Sequence, residues 1–217
     1  VKPEYTYVVG SPMAEVLKIH EKAISESKIL DELGLKPKQY ILLSSHREEN
    51  IDIETNFYSL MNAVNAMAEY YEMPVLYSCH PRSEKYIKER GFKFDERVIQ
   101  HKPLCFMDYN KLQQNAFCVV SDSGTLPEES ANLHFPAVSV RTSTERPEAM
   151  DSGVFVIGSI TSDAVIQAVR MAVDMQSDGF HPSPVEAYID DNVSDKVVRL
   201  IQSYTGIVNK MIWRKAK

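Results

Sequence analysis

The 217-residue chain has few of the residues that mark several common classes of protein. Its three cysteines are odd in number and widely spaced, and no two form a Cys-x-x-Cys pair. This spacing argues against a disulfide framework and against a zinc site. Because Cys79, Cys105 and Cys118 have apolar neighbours, we expect buried, reduced thiols in a cytoplasmic protein. No group of His, Cys and Asp residues has ligand spacing, so neither a metal nor another cofactor is predicted.

Clustered basic charge and long apolar segments are also scarce. There are 24 Lys and Arg against 30 Asp and Glu, which gives a net charge of −6. A nucleic-acid partner requires a clustered basic face, and the only basic cluster is residues 210–217, so nucleic acid is excluded as a partner. No apolar run approaches the ~20 residues that span a bilayer, so we also predict no membrane partner.

The eight glycines do not form the motifs of several common enzyme classes. The chain contains no Gly-x-Gly-x-x-Gly and no Gly-x-x-x-x-Gly-Lys-Ser/Thr, so neither a dinucleotide oxidoreductase nor a P-loop hydrolase is supported. It also contains no Gly-x-Ser-x-Gly elbow, which makes a serine hydrolase a poor hypothesis.

Short apolar runs alternate with helical patterns along the whole chain. The runs predict strands at residues 40–45, 74–78, 97–100, 116–120, 137–140 and 154–157. Helical spacing predicts helices at residues 12–27, 57–68, 83–90, 106–114, 161–173 and 192–212. This alternation predicts an α/β fold, an open parallel-sheet, Rossmann-like domain over residues 1–217 without an internal linker.

Polar residues follow four of the predicted strands. His46 follows the first strand, His80 the second, Ser123 the fourth and Arg141 the fifth. Ligands of open parallel sheets bind at the carboxyl ends of the strands, so we expect these residues to converge. Arg47, beside His46, has a planar guanidinium that suits phosphate or carboxylate. Taken by itself, this charged segment could also be an ordinary surface loop. For His80, structural and functional roles remain equal alternatives.

Residues 121–129 (Ser-Asp-Ser-Gly-Thr-Leu-Pro-Glu-Glu) form the most informative stretch. They follow an apolar strand and predict a glycine turn into a helix, a junction where backbone N–H groups can hold phosphate. Thr125 and Glu128 have the spacing of a capping box. Glu129 is not needed for that cap, and a carboxylate there can accept hydrogen bonds from the two hydroxyls of a ribose. The stretch therefore predicts a nucleotide diphosphate site. Arg141 and Arg146, after the fifth strand, could form a diphosphate clamp.

Three motifs, in this order and spacing, resemble the non-hydrolysing UDP-N-acetylglucosamine 2-epimerases. They are Ser-Ser-His46-Arg47-Glu-Glu-Asn, Asp122-Ser123-Gly124 with Glu128-Glu129, and Thr144-Glu145-Arg146-Pro147-Glu148-Ala149. The resemblance covers essentially the whole chain. It implies the C-terminal half of a GT-B-like two-domain enzyme whose N-terminal domain is not in this chain. The first residue is Val1, not Met, and we therefore expect an excised domain.

The resemblance implies roles for individual residues in binding UDP. Ser123 and Gly124 would hold phosphate, Glu129 the ribose hydroxyls, and Arg146 the diphosphate or uridine side. Backbone groups around Phe106 would contact the uracil.

The resemblance also implies a reaction. Members of the family eliminate UDP across C1–C2 of the sugar and add it back with inverted configuration at C2. His46 would take part in catalysis, while His80 and Arg47 would lie on the nucleotide side. The acid and base for the C2 proton lie in the N-terminal domain of such enzymes, so we expect residues 1–217 alone to be inactive. In the complete enzyme, we expect a homodimer.

Two departures from the commoner family pattern bear on the sugar. Glu48 replaces an arginine, and Thr125-Leu126-Pro127 replaces Gly-Ile-Gln. Both changes resemble the branch that acts on UDP-2-acetamido-2,6-dideoxy-L-talose and UDP-N-acetyl-L-fucosamine in capsule and O-antigen synthesis. Two other hypotheses remain: the donor-nucleotide domain of a GT-B glycosyltransferase, and a nucleotide-sugar sensor without catalytic activity.

Overall fold

A six-stranded parallel sheet forms the centre of the molecule. The structure, a computed structural model, describes residues 6–141 and 144–215. The strands are β1 (Ile41–Ser44), β2 (Val75–Ser78), β3 (Val98–His101), β4 (Cys118–Ser121), β5 (Ala137–Val140) and β6 (Val156–Gly158). Their order across the sheet is β3-β2-β1-β4-β5-β6, with every neighbouring pair parallel. This is the order of a doubly wound Rossmann-type sheet.

Helices connect the strands and cover both faces of the sheet. They are α1 (Met13–Glu26), α2 (Ile29–Glu32), α3 (Glu48–Ile51), α4 (Glu54–Tyr71), α5 (Pro81–Glu89), α6 (Phe106–Asn115), α7 (Leu126–Leu133), α8 (Pro147–Asp151), α9 (Ser162–Ser177) and α10 (Val193–Met211), with a 3₁₀ turn at Glu186–Tyr188. Each crossover helix returns the chain to the start of the next strand, so the carboxyl ends of all the strands lie at one edge.

Two apolar cores, one on each face of the sheet, follow from the alternation of side chains along the strands. Ile41 and Leu43 of β1 pack with residues of α4 and α9, including Phe57 and Val165. Leu42, between them in sequence, points to the other face and packs with residues of α6 and α7. The central strands β1, β2, β4 and β5 are almost wholly buried, which explains their continuous apolar runs.

The predicted α/β open parallel sheet is confirmed, and each predicted strand lies within two residues of an observed one. The expectation of three buried thiols was wrong for one of them. Cys79 and Cys118 are buried, but Cys105 is exposed at the residue before α6. Its apolar neighbours Leu104 and Phe106 are themselves only half-buried, and its thiol donates to Asp108 Oδ2 at 3.1 Å in the first turn of α6.

The terminal helix α10 differs from the other long helices. Its apolar residues recur at helical spacing, yet Val193 is its only buried residue. Val197, Ile201 and Ile207 are 38%, 57% and 54% exposed. The amphipathic helix predicted at residues 192–212 therefore forms, but its apolar face is not covered by the described residues. Within 6–141 and 144–215, no helix is both long and apolar enough to cross a membrane.

Candidate functional site

The polar residues predicted at strand ends lie along the carboxyl edge of the sheet. The crossovers from β1 to β2 and from β3 to β4 run in opposite directions across the sheet, so the order reverses between β1 and β4. Ser44 and Ser121, the last residues of these two strands, are paired in register. In doubly wound sheets, ligands bind at the carboxyl ends of the strands where the order reverses, so the loops after β1 and β4 are the candidate site.

Asp122 joins the loop after β1 to the loop after β4. Its side chain is fully buried and accepts hydrogen bonds from Ser45 Oγ at 2.6 Å and from the backbone N–H groups of His46 and Arg47 at 3.0 Å. Asn50 Nδ2 donates to the same carboxylate at 3.1 Å and also to the carbonyl of Val140 at 3.0 Å. These contacts fix the loop that carries His46 and Arg47 against β4 and β5.

His46 and His80, predicted from separate strand ends, lie together. Their ring centroids are 5.6 Å apart. The His46 side chain is 45% exposed, with Nδ1 at 3.5 Å from Asp122 Oδ1. His80 is the N-cap of α5, where its Nδ1 accepts a hydrogen bond from the backbone N–H of Arg82 at 3.2 Å. His80 therefore has a structural role as the cap of α5.

Arg47 and Arg141, in the loops after β1 and β5, are paired with acidic side chains. Arg47 contacts Glu49 at 3.0 Å and Glu145 at 3.9 Å. Arg141, whose side chain is 4% exposed, donates to the same Glu145 at 2.5 Å, and this pairing lowers the pKa of the Glu145 carboxyl. Among the described residues, the buried Nε of Arg141 has no hydrogen-bond partner.

Arg82 binds two carboxylates on the far side of this loop. It donates to Asp52 at 2.8 Å and to Glu48 at 2.9 Å, and the Asp52 pKa falls chiefly because of its hydrogen bonds with Arg82. Glu48, which departs from the family pattern, is therefore paired within the protein.

The turn from β4 into α7 does not form the predicted capping box. Thr125 is the N-cap, but its side chain makes no capping hydrogen bond because its hydroxyl donates to Glu129 Oε1 at 2.9 Å. Ser123 Oγ accepts instead from the backbone N–H of Thr125 at 3.3 Å. A Cβ built on Gly124 would meet none of the described residues within 4 Å, and the φ of Gly124 is not in the left-handed region. Neither packing nor backbone conformation requires glycine there, so open space lies over this turn.

Glu129 is buried at the first turn of α7. It is 7% exposed, and Gln113 Nε2 of α6 donates to its Oε2 at 2.5 Å. Burial raises the pKa of the Glu129 carboxyl, while the hydrogen bonds from Gln113 and Thr125 oppose that rise. Tyr109 of α6 lies nearby, and its pKa is raised by burial and by the charge of Glu129.

Arg146 faces the neighbouring carboxylate, Glu128. Its Nη2 is 2.5 Å from Oε1 of Glu128, which is buried, and Glu148 lies 4.0 Å from its Nη1. Ser11 also donates to Glu128. Arg146 thus lies beside the start of α7. It is paired with Glu128, the carboxylate that the predicted capping box would have used.

Phe106 begins α6, the helix that also carries Gln113. It is half-buried, and its ring meets His20 of α1 edge-on, with the centroids 5.8 Å apart. The backbone around Phe106 therefore lies at the carboxyl edge of β3, as expected for a helix that follows this strand. Ser123, Gly124, Glu129 and Arg146 lie around α7, while His46, Arg47 and His80 lie around the loops after β1 and β2.

Sequence reasoning missed the residues that organise these groups. Asp122 was part of the quoted motif but had no role, and Gln113 and Tyr109 were not considered. Asp122 had a usable signal, since a carboxylate directly after a buried strand must find donors. Gln113 had no signal, because its partner is 16 residues away on another helix.

An apolar cavity of about 690 Å³ lies away from this edge, between β6, α8 and α9. Its lining includes Phe155, Met171 and Phe180 and no Lys, Arg, Asp or Glu. None of the described residues that line it is an arginine or lysine that could pair with a diphosphate, so the strand-end loops remain the candidate site.

Fold and site together define a doubly wound α/β domain with polar side chains at its switch point. Residues 1–202 match the family model described as UDP-N-acetylglucosamine 2-epimerase. The chain therefore belongs to the UDP-N-acetylglucosamine 2-epimerase family.

Individual relatives agree with this assignment. A UDP-N-acetylglucosamine 2-epimerase of Methanocaldococcus jannaschii is 26% identical over 208 residues, which cover 90% of this chain and 54% of the relative. The structure of UDP-N-acetylglucosamine 2-epimerase from Rickettsia bellii superimposes with a TM-score of 0.84 at 34% identity, covering 99% of this chain and 58% of that one.

A second solved structure shows the same fold. The crystal structure of the M. jannaschii enzyme in complex with UDP-GlcNAc and UDP gives a TM-score of 0.82 at 22% identity, covering 94% of this chain and 56% of that one. The chain spans about half the length of the curated relatives it matches.

Proposed function

We propose that this chain is the UDP-binding half of a UDP-N-acetyl-sugar 2-epimerase. The observation that carries the proposal is the carboxylate of Glu129, which is buried, incompletely hydrogen-bonded and next to an open glycine turn. A buried carboxylate is costly unless it gains further donors. A ribose with two adjacent hydroxyls would supply them.

The acceptor capacity of Glu129 supports its role with the ribose. An ionised carboxylate offers about four lone-pair sites. Thr125 uses one site on Oε1 and Gln113 one on Oε2, so one position on each oxygen remains. Two vicinal hydroxyls could bind one to each oxygen.

The turn before α7 would hold the diphosphate. Ser123 and Gly124 lie at the N-terminus of this helix, where the helix dipole and free backbone N–H groups favour anions. Without a Cβ, Gly124 lets phosphate oxygens approach the backbone closely. Arg146, 37% exposed at its side chain and beside the same helix end, would contact the diphosphate or the uridine side, and the backbone around Phe106 the uracil.

In this proposal, the reaction removes the C2 proton of the sugar and breaks the C1–O bond to UDP, leaving a 2-acetamidoglucal. Addition of UDP to C1 and of a proton to the opposite face of C2 gives the epimer. His46 would take part, with His80 and Arg47 on the nucleotide side. Among the described residues, the acidic side chains beside His46 are engaged with neighbouring donors. We therefore propose that the acid and base for C2 come from an N-terminal domain of a complete, cytoplasmic, homodimeric enzyme.

For the sugar, we propose UDP-2-acetamido-2,6-dideoxy-L-talose and UDP-N-acetyl-L-fucosamine, used in bacterial capsule and O-antigen synthesis. Support comes from the two departures from the commoner family pattern. At both positions, the side chain has a hydrogen-bond partner within the protein. Glu48 pairs with Arg82, and Thr125 bonds Glu129. Proton NMR of the complete enzyme with this sugar nucleotide or with UDP-N-acetylglucosamine, without an acceptor, would identify the substrate. Turnover only with an added acceptor would support a glycosyltransferase instead.

Calorimetry with UDP tests the binding site on the chain itself. We expect Glu129→Gln to lower UDP affinity at least about 10-fold, equivalent to about 1.4 kcal/mol, because an amide has one acceptor oxygen in place of two. Glu69→Gln is the matched control, since Glu69 is exposed near the C-terminus of α4, at the opposite end of the sheet. Equal affinity of the wild type and Glu129→Gln would contradict the proposal.

A further inference from the structure

We infer that Asp122 is a positioning residue that keeps the proton of neutral His46 on Nδ1, so that Nε2 is an acceptor for substrate. The consequence for catalysis rests on the proposed function. The proton position itself is a property of the free chain.

Among the described residues, no lysine or arginine forms an ion pair with Asp122. The four hydrogen-bond donors to its carboxylate are the Ser45 hydroxyl, the amide of Asn50 and the backbone N–H groups of His46 and Arg47, all neutral. The ring of His46 is the only titratable cation-forming group that lies within 4.0 Å of this carboxylate among the described residues. Because the carboxylate itself is fully buried, solvent screens its charge less than it would at the surface.

The geometry selects one tautomer of His46. Its Nδ1 lies 3.5 Å from Asp122 Oδ1, longer than a typical hydrogen bond but close enough for a direct electrostatic interaction. A lone pair on Nδ1 would face the negative carboxylate, whereas an N–H would point its positive end toward it. The second arrangement is favoured, so Nε2 carries the lone pair. The backbone N–H groups of residues 46 and 47 also bind Asp122, which holds the main chain of His46 beside this carboxylate.

His80 has the opposite tautomer. Its Nδ1 accepts from the backbone N–H of Arg82, so the proton of the neutral ring is on Nε2. The two rings, 5.6 Å apart between centroids, thus present one acceptor and one donor at the same edge. A substrate group that loses a proton would meet the acceptor on His46, with a donor from His80 nearby.

Two-bond ¹H–¹⁵N spectra of the ¹⁵N-histidine-labelled chain, recorded at alkaline pH so that both rings are neutral, test this inference directly. We expect the Nδ1–H pattern for His46 and the Nε2–H pattern for His80, with each signal assigned from His46→Gln and His80→Gln. The Nε2–H pattern for His46 in the wild type would overturn the inference, whatever the variants show.

Two variants separate the charge of Asp122 from its structural role. Asp122→Asn keeps the shape but removes the charge, so His46 should shift toward a mixture of tautomers while His80 stays unchanged. Ser45→Ala removes one neighbouring donor and keeps the charge, so His46 should remain Nδ1–H. An unchanged His46 signal in folded Asp122→Asn would also contradict the inference. If Asp122→Asn does not fold, the wild-type spectrum still decides. UDP calorimetry of Glu129→Gln is independent of these spectra, so failure of either can be distinguished.

Discussion

Two buried carboxylates at the same edge of the sheet behave differently. Asp122 lies between β1 and β4 and receives four hydrogen bonds from a loop distant in sequence. Glu129 lies in the first turn of α7, receives two from side chains, and has its pKa raised by burial. The comparison indicates that Asp122 holds the architecture of the site, while Glu129 keeps acceptor capacity for a ligand.

Asp122→Ala should have the largest effect on stability. It removes a carboxylate and leaves buried donors from Ser45, Asn50 and two backbone groups without an acceptor. Each unsatisfied donor is costly, so we expect a loss of about 3–5 kcal/mol in the free energy of unfolding, measured by urea denaturation. The exposed Glu69→Gln should change it by less than about 0.5 kcal/mol. A loss below about 1 kcal/mol for Asp122→Ala would remove the basis of the comparison.

Arg146→Ala should have an intermediate effect on stability. Glu128 is a third buried carboxylate, and the guanidinium of Arg146 is its cationic partner. Removing the half-exposed guanidinium leaves Glu128 with only the Ser11 hydroxyl as a described partner. We expect a loss of about 1–2 kcal/mol in urea denaturation, below the cost for a fully buried pair. Adding Glu128→Gln should recover part of that loss. If the double variant is as unstable as the sum of both changes, the two residues do not act as a pair.

Single donors give a matched test of the two carboxylates. Ser45→Ala removes one of four hydrogen bonds to fully buried Asp122, and we expect a loss of about 1–2 kcal/mol. Thr125→Val removes one of two hydrogen bonds to Glu129 from an exposed hydroxyl, and we expect about 0.5 kcal/mol. Urea midpoints of both variants measure the difference. A larger loss for Thr125→Val would indicate that Glu129 is the more important structural carboxylate.

Glu129→Gln should have the smallest effect on stability, and its sign should depend on pH. A carboxyl whose folded pKa lies above its ordinary value of 4.5 binds more protons in the folded state, so its contribution to stability is full at low pH. That contribution falls as the pH rises from about 4.5 through the folded pKa. Glu129→Gln has no such group, so stability relative to the wild type should be higher at pH 8 than at pH 4. Urea denaturation of both proteins at the two pH values measures this difference in the free energy of unfolding. A difference that does not change with pH would contradict the raised pKa of Glu129.

The sequence predicted the sheet accurately because its central strands are buried on both faces and read as continuous apolar runs. Ile41 and Leu43 pack in one core and Leu42 packs in the other, so all three must be apolar. It predicted the locations of His46, His80 and Ser123 because parallel strands end at one edge. It was wrong about the cap of α7, because Thr125 bonds a carboxylate in the same turn more favourably than it completes the box.

Periodicity and strand-end polarity thus determined, from the sequence alone, the α/β class, the strand positions and the edge that carries the polar residues. Only the tertiary structure decided that Asp122 binds the loop of His46 and that Gln113 binds Glu129. It also decided that Cys105 is exposed and that the apolar face of α10 is uncovered by the described residues. The physical reason is that local patterns depend on each residue's own neighbours, whereas a hydrogen-bond partner or a covering surface comes from chain segments brought together only by folding.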